Sequence, residues 1–181
     1  MSDLTKSASQ VLVDMINEDN PTANLTPVDI TFGAPTDISG SNAQRNTELV
    51  VTAVPGGAYG GSVTIRYNRI SLPAIESAGA SEGLTLSFLK GAKTLLSEVM
   101  TDFNARFATN LVAGVDYDDA PLPEFEELPG EQHSIVLTAR AQSQIYIGQI
   151  TLFVRMDTVD LASVITVEDL SGLTYVAPTP P

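Results

Sequence analysis

His133 is the single histidine of this chain, and imidazole is the side chain whose ordinary pKa best suits proton transfer near neutrality. A general base also needs a nucleophile, a metal or an orienting partner, and no Ser, Cys or second His stands at a recognisable spacing from it. His133 is therefore expected at the surface or at a strand edge. Beside it runs an acidic stretch of Asp116, Asp118, Asp119, Glu124, Glu126, Glu127 and Glu131. These oxygens could be offered to calcium, but the stretch lacks the EF-hand spacing and its required glycine, so a solvated, self-repelling loop is expected. A carboxylate pair for glycoside cleavage would need a cleft to select two acids, and nothing in the sequence selects them. Gly56-Gly57 and Gly60-Gly61 are not followed by the Lys and Ser or Thr that open a helix in a phosphate loop; a strand follows, which suits glycines at a hairpin tip. No catalytic, cofactor-binding or metal-ligating residue is assigned, and no enzymatic activity is expected. Tyr59 and Tyr146 occupy matching places before two apolar strands. Either their rings bury at equivalent sheet edges, or they are displayed as contacts for a partner.

The elements that would position these residues follow from periodicity. Leu4, Ala8, Val11, Leu12, Met15 and Ile16 fall at steps of three and four, which predicts an amphipathic helix over 4–19, stopped by Asn20-Pro21. Thr26-Pro27-Val28-Asp29 suits a single helical turn with Thr26 as cap and Asp29 answering it, and Ile30-Thr31-Phe32 a short strand. Residues 33–47 are rich in Gly, Pro, Ser, Asn and Asp, the composition of an exposed loop. Residues 48–54 and 62–70 are β-branched and bracket the glycine-rich segment, predicting a hairpin. Within its second strand Val63, Ile65 and Tyr67 share one face. Residues 74–82 suggest a linker, and 83–86 a strand closing the first sheet. Phe88, Ala92, Leu95, Leu96, Val99, Phe103 and Phe107 predict a longer second helix weakened at Gly91. Strands over 134–141 and 145–155 then repeat the hairpin, and a further strand is expected near 172–176, before a Pro-rich tail.

Much of this order occurs twice. Lys6, Ala8 and Leu12 have counterparts 84 positions later in Lys90, Ala92 and Leu96. Leu49-Val50-Val51-Thr52-Ala53 returns as Ile135-Val136-Leu137-Thr138-Ala139, and Tyr59-Gly60-Gly61-Ser62-Val63-Thr64-Ile65 as Tyr146-Ile147-Gly148-Gln149-Ile150-Thr151-Leu152, at offsets of 86 and 87. Gly83-Leu84-Thr85 recurs as Gly172-Leu173-Thr174. Matches in one order along the chain suggest internal duplication. The expected fold is α+β, a tandem duplication of a module with one helix packed on a small, mainly antiparallel sheet. Its modules are expected at 1–86 and 87–176, with a tail at 177–181.

Composition bounds the function. Nine Lys and Arg against 22 Asp and Glu give a net charge of -13, which repels nucleic-acid phosphates, so no nucleic-acid partner is expected. With no cysteine, thiolate chemistry and disulfides are excluded. No run approaches the roughly eighteen apolar residues of a membrane span, and the N-terminus lacks a secretory pattern, so synthesis in the cytoplasm and no membrane partner are expected. An apolar share of 43% against 17% charged predicts a folded chain.

Leu12-Val13-Asp14-Met15-Ile16-Asn17-Glu18-Asp19-Asn20, Thr31-Phe32-Gly33-Ala34-Pro35, Tyr67-Asn68-Arg69 and Ile145-Tyr146-Ile147-Gly148-Gln149-Ile150 resemble small acidic virion structural proteins of tailed bacteriophages. The resemblance implies a non-enzymatic capsid decoration, neck or tail component, located in the virion after synthesis in the host cytoplasm. It implies binding to other virion structural proteins, homo-oligomerisation within the particle and no cofactor. The other reading open at this stage is a receptor- or glycan-binding module on the particle surface, with Tyr59 and Tyr146 as contacts.

Overall fold

The Ser7 side chain accepts a hydrogen bond from the Gln10 amide (3.4 Å) and opens the first helix, α1 (Ala8–Asp19), whose residues Val11, Leu12 and Val13 are buried. Capping explains why the helix starts after Leu4: a serine oxygen satisfies an amide that has no partner inside the helix. The structure, a computed structural model, describes residues 3–39, 44–79, 85–89, 92–123 and 132–157, together with Val164.

After α1 come β1 (Ile30–Phe32), β2 (Thr36–Asp37), β3 (Thr47–Ala53) and β4 (Ser62–Tyr67). They form one antiparallel sheet in which β3 is central, pairing with β4 on one side and with β1 and β2 on the other. The expected hairpin is present, with Gly56 and Gly61 at φ +82° and +83°, backbone that favours glycine. The turn at 26–29 is present as well, the Asp29 carboxylate accepting from the Thr26 amide (2.8 Å) and hydroxyl (2.6 Å). β2 lies inside the segment expected to be loop.

Beyond β4 the chain departs from expectation. β5 (Ile70–Ser71) leads into α2 (Leu72–Gly79), a helix where a linker was expected. Its residues are small, but Leu72 and Ile75 are buried one turn apart, and tertiary packing of such a pair outweighs weak intrinsic propensity. β6 (Thr85–Leu89) does not close the first sheet: it pairs in parallel with β9 (Gln149–Asp157), which pairs antiparallel with β7 (Gln132–Thr138). The position 86/87 thus falls inside a strand that joins the sheet of the second half. β8 (Tyr146–Ile147) pairs in parallel with β5. Gly148, at φ +82°, separates β8 from β9.

The second long helix, α3 (Leu96–Phe107), is shorter than its apolar stripe suggested. Phe88 belongs to β6, and Gly91 lies outside the described residues. The start is set by acids: Glu98 accepts from the amides of Thr94 (2.6 Å) and Leu95 (2.9 Å), and Asp119 from the Ser97 amide (2.9 Å) and hydroxyl (2.8 Å). These groups satisfy the helix-end donors and oppose the positive end of the dipole. The strand expected near 172–176 and the Pro-rich tail lie outside the described residues.

The fold is α+β, with antiparallel and mixed sheets. Buried apolar residues of both halves, from Val11 and Leu49 to Phe103 and Leu152, form one cluster.

Several hydrogen bonds recur at related positions. Asn17 donates to the Leu25 carbonyl (2.8 Å) and accepts from the Leu25 amide (2.9 Å); Asn104 does the same with Leu111, at 2.9 and 3.0 Å. The Val54 amide donates to Asp29 O and the Ala53 amide to Gly61 O, while Arg140 donates to Asp116 O and Ala139 to Gly148 O. The hairpin pair Thr52↔Ser62 has its counterpart in Thr138↔Gln149. Asn17 and Asn104 stand 87 positions apart.

Candidate functional site

The residues singled out for chemistry do not converge. His133 is half-buried in β7, opposite Val154 of β9. Of the acidic stretch, Glu124, Glu126, Glu127 and Glu131 lie outside the described residues. Asp119 caps α3, and Asp118 lies 3.4 Å from the Arg140 guanidinium. Asp116 is buried, accepting from the Ser143 hydroxyl (2.6 Å) and the Val112 amide (3.0 Å). It holds a turn in place. Among the described residues, no group of three or more His, Cys, Asp or Glu could hold a metal ion, and no helix is long and apolar enough to cross a membrane.

Polar side chains concentrate where the two halves meet. Arg69, buried just before β5, donates through Nε to the Thr47 hydroxyl (3.0 Å) and through Nη1 to the carbonyls of Ala141 (3.0 Å) and Ser143 (2.9 Å). Its Nη2 meets the carboxylate of Asp37. Asn46 fixes the Arg69 backbone from both sides, accepting from its amide (2.8 Å) and donating to its carbonyl (3.0 Å). The Tyr67 hydroxyl donates to the Gln144 carbonyl (2.6 Å). A planar fork with several donors can hold the carbonyls of a turn where a lysine, a point charge, would not. No buried side-chain nitrogen or oxygen among the described residues lacks a hydrogen-bond partner. This junction is a built structural element, and it uses up its own polar groups.

Burial raises the Tyr146 phenol pKa to about 12, although the Asn110 backbone hydrogen bond opposes the shift. Burial likewise raises Tyr67 and Tyr117 to about 12.

The two matching tyrosines have different surroundings. Both reach the loop that follows the helix of their own half, Tyr59 donating to the Ala23 carbonyl (2.7 Å) and Tyr146 meeting the Asn110 backbone. Tyr146 is 2% exposed, in β8 against β5 of the first half, whereas Tyr59 is 42% exposed. The same contrast continues along the strands. Ile150 is buried in β9, while its counterpart Val63 in β4 is 60% exposed. β9 is covered by α2 and paired with β6; the corresponding edge of β4 has no partner among the described residues.

Between that edge and α1 lies a groove of about 240 Å³ whose lining mixes apolar Leu12, Met15 and Ile65 with polar Asp19, Asn20 and Arg66. A strand edge unpaired among the described residues can accept an added strand through backbone hydrogen bonds, with side-chain contacts in the neighbouring groove. Tyr59, Val63 and this groove are the candidate interaction surface. Sequence reasoning missed Arg69 and the groove, because the strand pattern showed which face Val63 occupies but not that it is uncovered. A signal for Arg69 did exist: one of only nine basic residues sits between apolar strands.

Comparison with curated proteins and with solved structures finds no match. Residues 1–180 match the model of a family of unknown function (DUF7941), and the chain belongs to that family.

Proposed function

We propose that the chain is a non-enzymatic structural protein of a tailed-phage virion that binds other virion proteins as a capsid decoration, neck or tail component. It is built from a duplicated α+β module, α1 to β4 being the first copy and α3 to β9 the second. The paired Asn17 and Asn104 bonds and the matched hairpin registers support the duplication. The observation that carries the functional reading is the uncovered front of the first module. Tyr59 and Val63 are exposed beside a strand edge that has no partner among the described residues and a groove of mixed apolar and polar lining, while Tyr146 and Ile150 in the second half are buried. Exposed apolar surface beside an unpaired edge suits protein–protein contact. The strong negative charge keeps the chain dispersed until a complementary partner is met.

Protein analysis of purified particles and electron microscopy of particles made without the chain test this reading. The chain is expected in fixed copy number, with loss of particle stability or infectivity in its absence. Particles that never contain it, or that are equally stable and infectious without it, refute the proposal. A structure of the assembled particle tests the duplication separately: residues 8–67 should superpose on 95–154 with the two asparagines coincident.

A further inference from the structure

The strands β3 and β7 have differently finished edges. One side of β3 pairs with β4, and the other is covered by β1 and β2, both antiparallel. β7 pairs on one side with β9, and on its other side the described residues supply a single rung, the bridge Tyr117↔Ala139. That rung stands where Ile30↔Ala53 stands in the first sheet, the Arg140 amide donating to Asp116 O as the Val54 amide donates to Asp29 O. Past this point the first half continues into β1 and β2. In the second half the chain turns away to α3, which Asp119 caps, and residues 132–138 have no strand on that side among the described residues.

Two hydrogen bonds fix the direction of the β7 backbone groups. The Ala139 amide donates to Gly148 O (2.9 Å), towards β9, and the Arg140 amide donates to Asp116 O (2.7 Å), away from it. These directions alternate along an antiparallel strand, so the backbone groups of Gln132, Ser134, Val136 and Thr138 point to the uncovered side. The first sheet shows the same arrangement filled, the Gly33 amide between β1 and β2 donating to the Val50 carbonyl (2.8 Å). Uncovered edges are commonly guarded by a charge, a proline or a bulge. Gln132–Thr138 contains no Asp, Glu, Lys, Arg or Pro, and its register against β9 is unbroken. β4, by contrast, carries Arg66.

We infer that β7 pairs antiparallel with β7 of a second copy of this chain across a twofold axis, joining two three-stranded sheets into one of six strands. Two identical strands in antiparallel order offer each other the same donors and acceptors, which is the self-complementarity a twofold contact requires. Charge selects the occupant. With a net charge of -13, two copies repel wherever their acids face one another, and an uncharged strand lets them approach; a basic partner would be drawn to the acids instead. The contact lies on a different sheet from Tyr59 and the groove beside α1, and it closes at two copies.

Sedimentation of the purified full chain over a concentration series reaching roughly 1 mM provides the test. The parent is expected in reversible equilibrium between monomer and dimer. Val136→Pro removes an amide that no bond within the sheet uses, so it should keep the circular dichroism of the parent and weaken dimerisation at least about tenfold. Val136→Lys leaves the backbone intact at an exposed position and brings like charges together near the axis, and it should weaken dimerisation similarly. Thr52→Lys adds the same charge at an exposed position of β3 and should dimerise as the parent does. A parent that stays monomeric throughout, a dimer that Val136→Lys leaves unchanged, or one that Thr52→Lys weakens equally overturns the inference. The virion reading is tested on particles and stands or falls separately.

Discussion

Replacing Arg69 with methionine removes the guanidinium from the junction while keeping much of its aliphatic bulk. Four partners lose a donor, but they do not count equally. Asp37 is 78% exposed, so that ion pair is screened by water and contributes at most about 1 kcal/mol. The Ala141 carbonyl belongs to an exposed residue and can turn to water. The Ser143 carbonyl and the Thr47 hydroxyl belong to fully buried residues, and an acceptor stranded there costs about 1–3 kcal/mol. The expected total is about 2–4 kcal/mol after methionine recovers some apolar packing. For a chain of this length, that lowers the melting temperature by roughly 5–15 °C. Urea denaturation of the parent, Arg69→Met and Asp37→Ala measures it, with the last expected to lose less than about 1 kcal/mol. A loss below about 1 kcal/mol for Arg69→Met, or an equal loss for Asp37→Ala, would refute the assignment of the junction's stability to the buried carbonyl and hydroxyl.

Asn17→Ala and Asn104→Ala should each cost about 1–3 kcal/mol in urea denaturation, because each strips two hydrogen bonds from a leucine backbone. Asn104→Ala should cost more, since Asn104 also accepts from the Thr109 hydroxyl at 2.9 Å. Hydrogen bonds from Ser97 hold the Asp119 carboxyl below its ordinary value of 3.8, and those from the Thr94 and Leu95 amides hold Glu98 below 4.5. Their contribution is complete above those ordinary values and disappears as pH falls through the lower folded ones. Amide exchange at the start of α3 should therefore accelerate on acidification below about pH 4, and Asp119→Asn should flatten that dependence. Tyr67, Tyr117 and Tyr146 are pushed up to about 12 chiefly by burial, so the stability they confer is full below the unfolded value of 10 and is lost as pH rises towards 12. Ultraviolet titration should show these three ionising together with unfolding, and Tyr146→Phe should leave two.

Local patterns of residue type foretold the parts of the fold in which neighbours along the chain decide the outcome. The α1 stripe, the Thr26–Asp29 turn and the glycine-rich hairpin of β3 and β4 are of this kind, since a 3.6-residue or two-residue period and a capping oxygen act within a few positions; the strand expected over 145–155 is instead broken at Gly148, with Tyr146–Ile147 paired to β5. α2 escaped notice because Leu72 and Ile75 are too few to make a stripe; the helix depends on its packing against β9. α3 was expected too long because Phe88 fits a helical stripe and a parallel strand equally well, and pairing with β9 decides between them. The destination of β6 was equally hidden, because strand propensity does not say which sheet a strand will join.

Tyr59 and Tyr146 mark the division most clearly. Their positions, the acidic charge and the absence of cysteine are properties of the covalent chain, and the last of these excluded thiol chemistry. Which tyrosine is buried depends on where β5, α2 and β6 come to rest, a matter of contacts between residues some seventy positions apart, such as Arg69 with Ser143. Those long-range contacts form only once the chain has folded back on itself, so the covered and uncovered fronts became visible only in three dimensions.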